Sequence, residues 1–182
     1  MAYLIGQFLG LLVPIFTLTV PFWKKKWQIL LSAIAVNGLM VANLLLIGQF
    51  GSAALLCAVA VVQSMVSMAH YFRNTPVTRG ENLLFFILYV GLGFVGMFTA
   101  PGFVPGINAQ NLIELLPIIG AVLMMFSVFA RGEQTTRKFL LANASVWMVY
   151  TAIIGSTTFF AEVGAVIADC VALYKYRDTV KK

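Results

Sequence analysis

Charged side chains are scarce in this chain. Of its 182 residues, only 12 are lysine or arginine and 6 are aspartate or glutamate; charged residues make up 10% of the sequence and hydrophobic residues 61%. A soluble domain usually has about a quarter of its residues charged, and a soluble core of this size cannot hide so much apolar surface. The composition therefore predicts a membrane protein, with the lipid bilayer as its first partner.

Metal-binding and nucleophilic side chains are also few. The chain has one histidine, His70, and two cysteines, Cys57 and Cys170, which fall inside predicted helices and are expected to stay unbridged. A metal site needs clustered histidine and cysteine ligands, and an enzyme needs its reacting groups within reach of one another. We therefore expect no metal, no cofactor and no enzymatic activity.

The basic residues are confined to four clusters, and uncharged apolar stretches separate them. Cationic loops beside transmembrane segments stay in the cytoplasm, where they face anionic lipid headgroups. The net charge of +6 is therefore assigned to the membrane surface, and no nucleic-acid partner is expected. The clusters are Lys24 to Lys26; Arg73 and Arg79; Arg131, Arg137 and Lys138; and Lys175, Arg177, Lys181 and Lys182.

The spacing of these clusters predicts an all-α polytopic membrane protein with seven transmembrane helices. A spanning helix needs about 20 apolar residues, so one crossing fits before the first cluster and two fit between each later pair. The N-terminus then lies outside the cell and the C-terminus in the cytoplasm. The helices are predicted at Leu4–Phe22, Trp27–Ile47, Ala53–Phe72, Leu83–Phe98, Leu112–Ala130, Phe139–Ile154 and Thr157–Tyr174.

The predicted helices form two groups of three on either side of a single helix. Within one transmembrane domain of residues 1–182, residues 1–73 and 112–177 are predicted as parallel three-helix repeats. Residues 83–98 are predicted as the helix that links them. Parallel repeats of this kind occur in small transporters, with the binding site near the midplane between the halves.

Residue matches between the two predicted repeats are few. A shift of 106 residues places Asn37 on Asn143 and Gln63 on Asp169, while overall identity under that shift is poor. The predicted repeat therefore depends on the layout of helices and charges more than on individual residues.

The second half of the chain carries a family resemblance. The segment Glu114–Gly120 reads Glu-Leu-Leu-Pro-Ile-Ile-Gly, and it is followed by Arg137, Trp147 and the pair Tyr176-Arg177. With these residues the chain resembles the YgjV family of small bacterial inner-membrane proteins, most clearly over Asn111–Arg177. The resemblance implies a multi-pass protein of the bacterial cytoplasmic membrane.

That family is similar in architecture to the MtN3/PQ-loop/SWEET group, whose members move sugars, amino acids or vitamins. The resemblance implies two three-helix bundles joined by a linker helix, and it names no solute. The chain departs from the larger group because it has no Pro-Gln pair and no proline in predicted helices 2 and 6. These departures argue against inferring a sugar as the solute.

Two carboxyl groups in predicted helix 7 are the strongest candidates for a binding site. Glu162 and Asp169 are seven residues apart, which places them on one helix face, roughly 10 Å apart along the axis. A charge at the bilayer centre costs at least about 2.5 kcal/mol, so such residues usually face a cavity or a partner. No lysine or arginine falls inside a predicted helix, so a proton, amides or an external cation would have to satisfy them. The alternative is that both lie near helix ends and reach interfacial water.

Three amides complete the candidate substrate-binding set. Asn37, Gln63 and Asn143 each offer two donors and an acceptor, which suits hydroxyl or carboxylate groups of a solute. The alternative is that they hydrogen-bond neighbouring helices, each bond contributing about 0.6–2 kcal/mol. The sequence leaves both interpretations open.

The first helix of each predicted triplet contains a proline within its span, and that of the second triplet also contains a glutamate near its start. Pro14 and Pro117 fall inside helices, where proline frees a carbonyl and kinks the axis, so they are candidate gating kinks or static bends. Glu114, near the start of predicted helix 5, is interpreted as a cap of its own helix because the helix dipole favours acidic residues there.

Three glycines in predicted helix 4 match the letters of a dinucleotide-binding motif. That motif needs a strand before it and a helix start after it. Gly91, Gly93 and Gly96 lie within one predicted helix, so we expect close helix packing instead.

These features predict a transporter or facilitator of a small polar solute. It would work by alternating access between the two triplets, and it would be proton-coupled if a carboxyl is protonated on one face and released on the other. The alternative is a non-catalytic membrane subunit, a scaffold or regulatory partner of a larger complex. A homo-oligomer is compatible with either function.

Overall fold

A computed structural model describes residues 1–19, 26–100, 103–129 and 133–175. Within these residues the chain forms seven α-helices and no strand, which confirms the all-α fold class. The helices are α1 (Ala2–Thr19), α2 (Lys26–Leu46), α3 (Ser52–Arg73), α4 (Arg79–Thr99), α5 (Ala109–Phe129), α6 (Glu133–Ile153) and α7 (Phe159–Lys175).

Helix α4 begins four residues earlier than predicted because a capping box fixes its start. The Glu81 backbone N–H donates to Thr78 Oγ1 at 3.2 Å, and the Thr78 backbone N–H donates to Glu81 Oε2 at 2.7 Å. This reciprocal pair satisfies two backbone donors that the first turn of a helix leaves unpaired. The connection between α3 and α4 therefore ends at Thr78, and residues 79–82, outside the predicted helix Leu83–Phe98, belong to α4.

Helix α6 also begins earlier than predicted, at Glu133 and not at Phe139. The polar residues before Phe139 include Glu, Gln, Arg and Lys, which are all good helix formers. Arg137 and Lys138 therefore lie within α6. The expectation that no basic residue falls inside a helix was wrong, because it took the end of the apolar segment as the end of the helix.

Three helical segments are long and apolar enough to cross a membrane, judged by length and composition: Ser52–Arg73, Arg79–Thr99 and Ala109–Ser127. Two shorter apolar segments, Ala2–Leu18 and Leu30–Leu46, also occur among the described residues. The prediction of seven crossings stays a prediction.

Helix α4 turns a broad apolar face away from the rest of the protein. Leu83, Ile87 and Phe98 are each more than half exposed, and Leu84 and Val95 are similarly exposed. Contiguous exposed apolar surface of this kind marks contact with a membrane or a partner. Lipid provides such a contact without any further protein.

The main helix contacts form a closed ring of six helices. Helix α1 packs against α2 and α7, α2 against α3, α3 against α5, α5 against α6, and α6 against α7. Helix α4 packs on the outside of this ring against α3 and α5. The predicted division into two parallel three-helix bundles joined by a linker helix, with its residue boundaries, stays a prediction.

Glycines allow α4 to approach its neighbours closely. A Cβ on Gly96 would lie 2.6 Å from Ser52 Cα, and a Cβ on Gly93 would lie 2.8 Å from a side-chain carbon of Ile118. The packing interpretation is confirmed for these two residues. Gly91 faces open space, with nothing within 4 Å of an added Cβ.

The basic residues of the described chain gather where odd-numbered helices end and even-numbered helices begin. Arg73 and Lys175 close α3 and α7, whereas Arg79 begins α4 and Arg137 lies in the second turn of α6. We call this the cationic end of the bundle. The remaining cations of the predicted clusters lie outside the described residues, except Lys26 at the start of α2 and Lys138 in α6; they are Lys24, Lys25, Arg131, Arg177, Lys181 and Lys182.

Candidate functional site

A cavity of about 260 Å³ lies within the ring and is lined by residues from all seven helices. Helix α4, outside the ring, reaches the cavity through Tyr89. Four of the five predicted substrate-binding residues line this one cavity: Asn37, Asn143, Glu162 and Asp169.

Glu162 brings an isolated carboxylate to the cavity. It lies in the first turn of α7, where the positive end of the helix dipole favours a negative group. Its side chain is only 9% exposed. No hydrogen bond or ion pair between described residues involves its carboxylate. A buried carboxylate in this position is available to a ligand.

Asp169 lies two turns further along α7 and is half-buried. Arg137, in the early turns of α6, attracts it electrostatically, although the two side chains form no direct ion pair in the described structure. The expectation that both carboxyls lack an internal cation was therefore wrong for Asp169. The two carboxyls differ, since only Asp169 has a basic side chain near it.

The two asparagines reach the cavity from α2 and α6. Asn37 Nδ2 donates to the Ala33 backbone carbonyl at 2.8 Å, which leaves its amide oxygen for other partners. Asn143 Oδ1 is buried and has no hydrogen-bond partner in the structure. A buried acceptor without a partner is costly, so a donor in the cavity would stabilise this side chain.

Gln63 lies one layer behind the cavity wall. It is buried on α3 and accepts a hydrogen bond from the Tyr89 hydroxyl, and it is not among the residues that line the cavity. Tyr89 does line the cavity, so Gln63 holds a lining residue in place. Its predicted direct contact with a solute would require Tyr89 to move.

Glu114 joins α5 to the start of α3. The Ser52 backbone N–H donates to Glu114 Oε2 at 3.0 Å, and the Ser52 hydroxyl donates to the Glu114 carbonyl at 2.8 Å and to Oε2 at 2.6 Å. Gly51, the N-cap of α3, offers no side chain for capping, and the carboxylate takes that place. The interpretation of Glu114 as a cap of its own helix was wrong, because α5 begins at Ala109 and Glu114 lies beyond its first turn.

Gln7 joins α1 to the segment that precedes α7. The Thr157 backbone N–H donates to Gln7 Oε1 at 2.9 Å, and the Thr157 hydroxyl donates to the Gln7 carbonyl at 2.7 Å. Asn43 on α2 reinforces this junction: its Nδ2 donates to the Gly6 carbonyl, and its Oδ1 accepts from the Ser156 hydroxyl, each at 2.8 Å. We call the Glu114–Ser52 and Gln7–Thr157 contacts the two clamps.

The cavity begins deeper in the bundle than the clamps. On α3 and α7 the lining residues nearest the clamps are Leu56 and Glu162, four residues beyond Ser52 and five beyond Thr157 in sequence, or about 6–7.5 Å along a helix. From there the lining continues along α7 to Asp169. The clamps therefore cover the end of the cavity that lies opposite the cationic end.

The two predicted gating prolines both lie inside helices, Pro14 in α1 and Pro117 in α5. They stand at different distances from the clamps, since Pro117 follows Glu114 by less than one turn and Pro14 follows Gln7 by about two turns. The two prolines are therefore not equivalent in position, and their role in gating stays a prediction.

Most residues that line the cavity had no predicted site role, and Tyr89, Cys57 and Trp147 are three of them. Tyr89 and Cys57 were placed correctly in helices, and Trp147 was noted only for its part in the family resemblance. The sequence signal for Trp147 was that resemblance itself. Cys57 and Cys170 are both unbridged, as predicted, and only Cys57 is buried.

Comparisons with known proteins identify the family. No curated protein and no solved structure matches the chain. The sequence does match the Imp-YgjV family, described as bacterial inner membrane proteins, over residues 4–179. That match and the apolar helices make the chain an integral membrane protein. It belongs to the Imp-YgjV family of bacterial inner membrane proteins.

Proposed function

We propose that this protein transports a small polar solute across the bacterial inner membrane by alternating access, without chemical conversion of the solute. The observation that carries the proposal is the single cavity shared by Asn37, Asn143, Glu162 and Asp169. Transporter sites lie between helices near the bilayer midplane, and polar groups buried among membrane helices usually face a pathway or a partner.

The two clamps provide the gate that alternating access requires. Both are short side-chain contacts to the start of a neighbouring helix, and both lie on the same side of the cavity. Contacts of this kind can be exchanged for water when helices separate. The described conformation is thus proposed as one closed at the clamp end.

The helix contacts support movement of two halves. Helices α1–α3 meet helices α5–α7 through two main interfaces, α1 with α7 and α3 with α5. Each interface carries one clamp. Rocking of one triplet against the other would open both clamps together, and the proposed SWEET-like repeat arrangement would produce this motion.

The charges support an orientation with the cationic end in the cytoplasm. Arg73, Arg79, Arg137 and Lys175 all lie at that end, and basic residues beside transmembrane helices favour the cytoplasmic side. The clamp end then faces outwards, with the N-terminus outside and the C-terminus inside. Proton coupling is proposed for Asp169, whose carboxylate Arg137 attracts whenever no proton is bound.

Uptake into proteoliposomes tests the proposal. Purified protein is reconstituted and screened with labelled amines, amino acids, sugars and vitamins, each with and without an imposed pH gradient. Asp169→Asn is expected to reduce the uptake of the transported solute by about tenfold or more, as loss of a buried charge does. Cys170→Ser, on the exposed side of the same helix, is the matched control and should retain uptake.

Equal uptake by the wild type and Asp169→Asn would contradict the proposed role of Asp169 in the site, and no uptake of any solute would contradict the transport proposal. Co-purification with a larger membrane complex at fixed stoichiometry, together with no uptake of any solute, would instead favour the role of a non-catalytic subunit. The molecular mass of the purified protein in the same preparation shows whether it is a homo-oligomer.

A further inference from the structure

We propose that the cavity binds a small organic cation, an alkylammonium group, with Glu162 as its counter-ion. This inference rests on the proposed function and names the chemical class of its solute.

The charge of the cavity wall is the first argument. Its lining includes two carboxylates, Glu162 and Asp169, and no lysine, arginine or histidine from the described part of the chain. Arg137 offsets the charge of Asp169. Glu162 has no such offset within the described residues and is 9% exposed. A cation in the cavity would favour the ionised form of the Glu162 carboxyl group and neutralise its charge, and an anionic solute would do neither.

The hydrogen-bonding capacity of the wall is the second argument. Two acceptors are available to a ligand: the Glu162 carboxyl group, and Asn143 Oδ1, which is buried without a partner. Asn37 uses an amide hydrogen on the Ala33 carbonyl and keeps its oxygen. An ammonium group has three donors and no acceptor. It can therefore donate to these acceptors at the same time, which a carboxylate cannot do.

The aromatic and apolar parts of the wall are the third argument. Trp147 lines the cavity, and its indole lies so close to α5 that a Cβ on Gly120 would be 2.7 Å from Nε1. An indole face attracts ammonium groups through cation–π interaction. The rest of the wall suits an alkyl chain; it includes Val36, Met40, Leu56, Ala60, Leu140 and Ala144.

An inorganic ion fits this cavity less well than an alkylammonium group. Calcium and magnesium require several oxygen ligands arranged closely around the ion. The described residues contain no group of three histidine, cysteine or acidic side chains that could hold a metal ion. The separated acceptors and the apolar wall match a ligand that has a charged head and a carbon chain.

Titration of the purified full-length chain in detergent tests the inference, with Trp147 as the reporter. The chain has three tryptophans, so the substitutions Trp23→Phe and Trp27→Phe leave Trp147 alone. Propylammonium is compared with 1-butanol and butyrate, which have alkyl chains of similar length. Calorimetric titration of the same solutions detects binding if the fluorescence change is too small to measure. Propylammonium is expected to bind saturably, and neither other compound to bind at the same concentrations.

Glu162→Gln is expected to weaken propylammonium binding by about thirtyfold or more, because it removes the buried counter-ion. Glu81→Gln is the matched control: its carboxylate lies at the start of α4 beside His70, away from the cavity, and affinity should not change. Thermal unfolding of each variant, monitored by circular dichroism, shows whether it is folded.

Three results would overturn the cation assignment: binding of 1-butanol or butyrate as tightly as propylammonium, unchanged affinity in folded Glu162→Gln, or no binding of any compound by either method. Different results would contradict the transport proposal, so the two proposals can be distinguished. Binding of propylammonium without uptake of any solute would support the cation-binding site and contradict the transport proposal. Uptake of a neutral solute that depends on Asp169 would retain transport and end the cation assignment.

Discussion

Gln7 on α1 and Glu114 on α5 make the same two contacts with different helices. In each case a side-chain oxygen accepts from a backbone N–H at the start of the neighbouring helix, and the backbone carbonyl accepts from the hydroxyl of that same residue. The hydroxyl belongs to Ser52 in one pair and to Thr157 in the other. This equivalence supports the proposed repeat more directly than any sequence match does.

A comparison of the sequence with itself at one fixed shift does not reveal the equivalence of the Gln7 and Glu114 contacts. A shift of 106 residues places Gln7 on Ile113 and Ser52 on Thr158. Each position misses the residue that makes the equivalent clamp contact by one residue, in opposite directions. The two clamps are therefore equivalent in their contacts and not in a rigid sequence register.

The first prediction concerns the chemistry of the Glu114 clamp. Glu114→Ala is expected to lower the free energy of unfolding by roughly 1–2 kcal/mol, because it leaves the Ser52 N–H without its acceptor. Glu114→Gln should retain most of the stability, since an amide oxygen fills the same role at Gln7. Thermal unfolding in detergent measures both changes.

Gln110→Ala, on the exposed side of the same helix, is the control and should be nearly neutral. Equal destabilisation by Glu114→Gln and Glu114→Ala would mean that the negative charge at the start of α3, and not the hydrogen bond, holds this junction together.

The second prediction concerns the contact between α4 and α3. Gly96→Ala is expected to destabilise the protein by about 1–3 kcal/mol, because the new Cβ would press on the backbone of Ser52. Gly91→Ala, in the same helix with open space around it, should be neutral or stabilising by up to about 1 kcal/mol. Unfolding midpoints of the two variants in one detergent provide the comparison. Similar effects from both would show that α4 does not pack on Ser52 in this way.

Local sequence patterns predicted the helices and one shared face. Apolar runs between cationic clusters placed all seven helices, and the seven-residue spacing of Glu162 and Asp169 placed both on the cavity. Predictions from charge and polarity failed at helix ends. Polar residues that are good helix formers extend α6 at its N-terminus, ahead of its apolar segment. Arg137 therefore came unexpectedly close to Asp169.

Pairings between distant helices could not be predicted in the same way. Glu114 was assigned to its own helix by a local rule, whereas its partner Ser52 lies 62 residues away in sequence. Gln63 was predicted to face a solute, and only packing reveals Tyr89 in front of it. A single sequence shows which side chains are polar, but their hydrogen-bond partners depend on how the helices pack.

The third prediction concerns membrane orientation. Alkaline phosphatase fused after Phe50 or Pro105 should be active outside the cytoplasm, and green fluorescent protein fused after Lys182 should be fluorescent inside it. The reason is that basic residues beside transmembrane helices favour the cytoplasm; with the cationic end there, as proposed, the α2–α3 and α4–α5 connections would lie on the opposite side. Fusions after Asn74, in the α3–α4 connection, are the internal control and should match the C-terminal fusion. Activity of the same reporter at Phe50 and Lys182 would contradict the proposed topology.

The fourth prediction uses Cys57 to follow access to the cavity from each side of the membrane. Cys57 is buried and lines the cavity just below the clamps, and Cys170→Ser removes the only other thiol. In vesicles of known orientation, a membrane-impermeant thiol reagent should modify Cys57 from the cytoplasmic face faster than from the outer face. In the proposed orientation the clamps lie between Cys57 and the outer face, so they should slow entry from that side.

Removal of both clamps should reverse this asymmetry. Gln7→Ala combined with Glu114→Ala takes away the side-chain acceptors that hold Thr157 and Ser52, and each lost hydrogen bond weakens the closed state by about 0.6–2 kcal/mol. Loss of both would raise the population open to the outside by roughly tenfold or more. Modification from the outer face should accelerate accordingly in the double variant, while Gln110→Ala leaves it unchanged. Equally fast outer modification in the protein with intact clamps would show that the clamp end is already open, and the gate would have to lie elsewhere.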